Sequence, residues 1–150
     1  MTMDLSTMTG LEVLQAMVDL GEESKIGIGS LLGMRAESLE PGKVVFSLEP
    51  RPDFSNPLGT VHGGVLSTLL DSAMACAVHA SLPAGAGYTT LELKVNFIRP
   101  VPISGGLLTC EGTVVHGGRR VATTEGRIVD ANGKLVAHGT STCMIFPAEA

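Results

Sequence analysis

The spacing of apolar and polar residues divides the chain into a short helix, two strands, one long helix and three or four further strands. Leu11, Leu14 and Val18, with polar residues between them, fit an amphipathic helix over roughly residues 8 to 20. Two strand-like runs, about 31 to 39 and 43 to 49, are separated by Glu40-Pro41-Gly42-Lys43, a turn signal. From Gly63 to Ala80 the chain reads as a helix that is apolar nearly all round, and such a helix must be covered on most sides. A loop at Pro83 to Gly87 follows. In Tyr88 to Ile98 the residues Leu91, Leu93, Val95 and Phe97 alternate with Glu92, Lys94 and Asn96, so one face is buried and the other wet. The same parity places Thr89 on the core side and points Thr90 away. Gly105 to Val115 and Arg119 to Asp130 are joined by His116-Gly117-Gly118, a hairpin signal, and Asn132-Gly133 suits the positive φ of a second tight turn. Leu135 to Phe146 closes the chain.

These elements predict an α+β fold. About six antiparallel strands form a curved sheet wrapped around one long central helix, with a short N-terminal helix beside it. A length of 150 residues fits one domain with a sizeable core, and a hydrophobic fraction of 44% argues against disorder. Net charge is -5 and Arg119-Arg120 is the one clear basic cluster, so nucleic acid is not expected as a partner. Four Phe, one Tyr and no Trp leave little for base stacking. Three cysteines (Cys76, Cys110, Cys143), far apart, read as free thiols in a reducing cytoplasm rather than as disulfides or metal ligands. The N-terminus lacks the pattern of a signal peptide, and no uncharged apolar run reaches membrane-spanning length.

The chemistry concentrates in residues 56 to 71. Between His62 and Leu82 the one formal charge is Asp71, among Leu69, Leu70, Ala73, Met74 and Ala77. A carboxylate in apolar surroundings costs several kcal/mol to keep ionised without compensation, which singles out Asp71 as a catalytic candidate. Gly63 and Gly64 open the helix, where unpaired amides and the dipole concentrate positive potential and missing side chains admit a ligand. That is an oxyanion site, or an ordinary helix entry. His62 is a cap, or it holds loop or ligand in place. Asn56 is a turn residue before Pro57, or an amide aimed at substrate or water. Thr89, on the expected core face, is positioned to meet Asp71, or bonds a local carbonyl. The histidines lack a metal-binding spacing. Gly27 to Gly33 misses the dinucleotide fingerprint, and Ser67 and Ser72 lack a nucleophile elbow.

The order Asn56-x5-His62-Gly63-Gly64-x6-Asp71, then Tyr88-Thr89-Thr90-x4-Val95-Asn96-Phe97-Ile98-Arg99-Pro100, resembles the PaaI-type acyl-CoA thioesterases of the hotdog superfamily. The resemblance covers about residues 25 to 146, which makes 25–150 the hotdog domain and 1–24 an N-terminal extension. It implies an acyl-CoA substrate, association as a homodimer and then a dimer of dimers, and no cofactor. It further implies that the Gly63 amide polarises the thioester carbonyl with His62 beside it. Asp71 would activate water or attack the carbonyl, and Asn56 and Thr89 would orient water or acyl group. Gly64 and Thr90 are candidate substrate contacts, and Arg119 and Arg120 are candidate partners for the CoA phosphates. Two other classes compete: an enoyl-CoA hydratase of the same fold, and a non-catalytic acyl-CoA-binding module. The first needs a second acid/base, for which no residue has a comparable setting. The second gains nothing from a stranded carboxylate.

Overall fold

In the computed structural model, which describes residues 4–23 and 26–149, six antiparallel strands form a single sheet on one long helix. The elements are α1 (Gly10–Leu20), α2 (Ile28–Leu32), β1 (Arg35–Glu40), β2 (Lys43–Leu48), α3 (Gly63–Ala80), β3 (Gly87–Phe97), β4 (Leu108–Gly117), β5 (Val121–Val129) and β6 (Leu135–Phe146). The sheet runs β1-β2-β4-β5-β6-β3, so β1 and β3 are its edges. The expected boundary at residues 24 and 25 lies outside the described residues. One expected strand is corrected at its start. Residues 28–32 form α2, ended by Gly33 in the left-handed conformation (φ 71°), before β1 begins at Arg35. Leu32 and Met34 both pack on the main core from opposite sides of this turn, so a helix and a strand share one apolar run.

The sheet can wrap α3 because its centre carries no side chains. Gly112 pairs with Gly126, and Gly126 with Gly139, which sets three glycines in a row across β4, β5 and β6. A Cβ on Gly112 would overlap the Ala73 carbonyl of α3, and one on Gly126 would stand 3.0 Å from both Leu70 and Met74. The helix backbone therefore lies directly on β4, and the Leu70 and Met74 side chains lie directly on β5. Leu69, Leu70, Ala73, Met74, Ala77 and Val78 are completely buried. Among the described residues α3 is long and apolar enough to cross a membrane by length and mean hydropathy (18 residues, 1.2); it carries the charge of Asp71, and half of it is buried in this fold, as in a core helix.

At the other end of α3, Thr9 and Glu12 form a capping box that starts α1. The Gly10 amide donates to the Leu82 carbonyl at 3.1 Å, and a side chain on Gly10 would overlap the His79 carbonyl. α1 is thus seated directly on the last turn of α3.

Candidate active site

The loop before α3 is held by Asn56. Its side-chain oxygen accepts from the Leu58 and Thr60 amides (2.9 and 3.2 Å), and its amide nitrogen donates to the Thr60 hydroxyl (2.9 Å). These three bonds are those of a turn residue, and they leave one amide hydrogen of Asn56 without a partner among the described residues. The loop delivers His62 to the N-cap of α3, where Nδ1 accepts from the Gly64 amide at 2.8 Å. The bond geometry assigns the imidazole proton to Nε2, and the ring is otherwise exposed. His62 is therefore the helix cap, and the Gly64 amide is committed to it. The Val65 and Leu66 amides turn back to the His62 carbonyl. The Gly63 amide is left without a partner among the described residues, at the positive end of an 18-residue helix. Phe97 stands behind it: a Cβ on Gly63 would lie 3.0 Å from the ring.

Eight residues along α3, Asp71 leaves the packed face. It is half-buried and opens into a groove of about 520 Å³ lined by Asp71, Ser72, Ala75, Cys76, Tyr88, Thr89 and Thr90. Its neighbours in sequence suggested a carboxylate sealed among apolar side chains. Instead it lies on the one side of the helix that the sheet leaves open. Its hydrogen-bond partner is the Thr90 hydroxyl, which donates to Oδ1 at 2.8 Å.

That bond corrects the parity assignment of Thr89. Thr90 pairs with Cys143 and Glu92 pairs with Thr142, so Leu91 is an extra residue in β3, a bulge, and is 52% exposed. Alternation holds from Leu93 to Val95 but reverses across the bulge, bringing Tyr88 and Thr90 to the core side and leaving Thr89 exposed at the groove rim. Tyr88 and Cys76 belong to the site too, and sequence reasoning passed over both. Tyr88 is two residues from Thr90 and shares its face, but the sequence parity had turned that face away from the core, so the bulge hid both. Burial, with the Asp71 charge second, pushes the Cys76 thiol up to about 12, and burial also lifts the Tyr88 phenol, so both stay protonated near neutrality.

Arg119 and Arg120 are exposed and are not brought to Asp71 within the chain. Arg119 lines a second groove, of about 500 Å³, beside Ser81 and Leu82 at the far end of α3. Among the described residues no group of three His, Cys, Asp or Glu side chains is placed to hold a metal ion.

A six-stranded antiparallel sheet around one helix is the hotdog architecture. Here it carries a free amide at the helix N-terminus and a carboxylate about two turns further on. The chain belongs to the thioesterase superfamily, whose family model matches residues 58–137, and is a thioester hydrolase. It is 28% identical to human acyl-coenzyme A thioesterase 13 over 70% of this chain and 74% of that protein. It is also 28% identical to the 1,4-dihydroxy-2-naphthoyl-CoA hydrolase of Listeria monocytogenes, over 80% of this chain and 94% of the relative. Among solved structures, the PaaI protein from the phenylacetic acid degradation operon of E. coli superposes with a TM-score of 0.79 over 97% of this chain and 98% of its own; at 23% identity this is a likeness of fold.

Proposed function

We propose that this protein hydrolyses acyl-CoA thioesters at a site shared by two copies of the chain. The observation that carries the reading is the separation of the free Gly63 amide from the Thr90-held Asp71 carboxylate. Eight residues of helix span about 12 Å at 1.5 Å per residue, whereas reacting groups must approach to about 3–3.5 Å. One helix cannot serve one carbonyl with both groups. A second, antiparallel α3 supplies the missing member, and a two-fold dimer makes two equivalent sites. The acyl-CoA specificity is supported by the names of the two relatives above.

In this reading the thioester oxygen docks on the Gly63 amide, where negative charge develops during attack; one such donor is worth about 10²–10³ in rate. Asp71 of the other chain takes a proton from water as the water oxygen bonds the carbonyl carbon, or attacks that carbon itself to give an anhydride that water then opens. The C–S bond breaks, its electron pair leaves with the CoA thiolate, and the acid is released. Thr90 fixes the carboxylate. His62 acts through the Gly64 amide by holding the first turn in place, and Asn56 acts through the loop. Arg119 and Arg120 are assigned to the CoA phosphates, and the dimers pair into a dimer of dimers.

Release of free thiol from a panel of acyl-CoAs tests the activity; no release from any of them overturns it. Mixing tests the shared site. Asp71→Ala chains and Gly63→Pro chains, each inactive, are combined after both are shown to fold and dimerise. Proline is tolerated at the first helical position and removes the amide hydrogen, and because its ring also presses on Phe97 the check of folding and dimerisation comes first. Random exchange makes half the dimers mixed, each with one intact site, so about a quarter of wild-type activity returns. No recovery despite proven exchange places both groups in one chain.

A further inference from the structure

The groove at Asp71 has an end. Along α3 it runs from Asp71 past Ser72 and Ala75 to Cys76, and its other wall is β3, where Thr90 faces Asp71 and Tyr88 lies further along the same face. Two independent rulers measure its length. Five helical residues from Asp71 to Cys76 rise about 7.5 Å, and two strand residues from Thr90 to Tyr88 advance about 6.7 Å. Both put the Tyr88 ring at the level of Cys76, roughly 7 Å beyond the carboxylate by these rises.

The ring is held there. It packs on the His79 ring at a centroid distance of 4.8 Å and a tilt of 42°, and against the buried cluster containing Val78, Leu82, Cys143 and Ile145. Its phenol stays protonated beside the equally neutral Cys76 thiol, so no charge draws it out to water. Beside Asp71 itself the floor is Ala75, which leaves the near part of the groove open. Of the residues that line the groove, Tyr88 and Cys76 lie farthest along it from Asp71.

We propose that Tyr88 sets acyl-chain length in this protein, admitting compact acyl groups and rejecting long-chain fatty acyl groups. An extended chain covers about 3.5 Å per three bonds, so roughly 7 Å accepts about six bonds beyond the carbonyl. A hexadecanoyl group is more than twice that length and meets the ring. This inference rests on the acyl-CoA reading above.

The test compares straight-chain acyl-CoAs from butanoyl to hexadecanoyl on the wild-type protein and on Tyr88→Ala, Tyr88→Leu and Tyr88→Phe, each checked for folding by thermal unfolding. Tyr88→Leu opens the wall partway should the alanine variant fail to fold. We expect wild-type kcat/KM to fall at least about tenfold from octanoyl- to dodecanoyl-CoA, with the opened variants shifting the preference toward the longer chains by a similar factor and Tyr88→Phe keeping the wild-type limit. Equal turnover of hexanoyl- and hexadecanoyl-CoA by the wild type overturns the proposal, as does an unchanged length preference in a folded, opened variant. Binding of non-hydrolysable ketone analogues of the same two acyl-CoAs, measured by calorimetry, separates this inference from the proposed activity. Tight binding of the short analogue alone, without any turnover, keeps the length limit and removes the enzyme reading. Equal binding of both analogues, or of neither, removes the length limit.

Discussion

The two faces of α3 draw on the same small and apolar residue types and are used in opposite ways. One face, with Leu70, Ala73 and Met74, lies on Gly112 of β4 and Gly126 of β5 with no slack for an added carbon. The other, with Asp71, Ser72, Ala75 and Cys76, opens into a groove. Among the described residues Asp71 joins no salt bridge, and one hydroxyl on the edge strand is its partner. The carboxylate needs no cation to place it because the packed face fixes the helix that carries it. Rigidity on one side supports reactivity on the other.

Breaking the packed face should cost most. Gly112→Ala drives a Cβ into the α3 backbone, which cannot rotate away as a side chain could, and should destabilise the fold by about 3 kcal/mol or more. Gly117→Ala, at an exposed position whose nearest neighbour would be 3.8 Å away, serves as the control and should change stability by less than about 0.5 kcal/mol in chemical denaturation. Equal effects would mean that α3 does not rest on the strands.

The open face should respond in rate rather than stability. Asp71→Asn keeps the shape and the Thr90 bond, and should lower kcat by about 10² or more with little change in KM. Near-normal kcat would end the catalytic assignment. Thr90→Val, which removes a bond to a charged group, should cost about tenfold in kcat. Thr89→Val, on the rim, should cost far less, and the reverse order would contradict the bulge. The smallest effect belongs to the surface. Replacing Arg119 and Arg120 by Ala should raise KM for acyl-CoA a few-fold and flatten its salt dependence, with no change for a short thioester lacking the nucleotide. Equal effects on both substrates would point to a defect of folding instead.

The packed half of the molecule was largely legible from the chain, because burial imposes periodicity. The turn signals at Gly117-Gly118 and Asn132-Gly133 bounded β5 and β6 nearly to the residue, and the apolar run gave α3. What the pattern lacked was long-range pairing. Gly112, Gly126 and Gly139 are scattered in sequence and become a row only through strand register. The local signal, a glycine inside each of three successive strands, was present but is ambiguous alone. The open half was less legible. Asn56, His62, Gly63 and Asp71 were all picked out, yet the residues alone left more than one reading of Asn56 and His62 open, and atomic contacts were needed to show His62 as the cap of α3. Thr-Thr-Leu-Glu-Leu at 89 to 93 alternates cleanly with Leu91 and Leu93 on one side, so nothing in it announces an extra residue. Likewise Leu31 and Leu32 read as the start of a strand because both elements bury the same residue types.

Leu91 carries a consequence for how this molecule can change over generations. It occupies a place in the chain but none in the ladder, since Thr90 and Glu92 already face the adjacent partners Cys143 and Thr142. Losing that codon outright would close β3 into a regular strand with Tyr88 and Thr90 still turned toward Asp71. Regular pairing without the loss of a residue would instead put Leu91 opposite Cys143, where Thr90 now stands, and turn Thr90 outward. For this edge strand, chain length is a heritable variable in its own right, and a deletion is a gentler event than many substitutions.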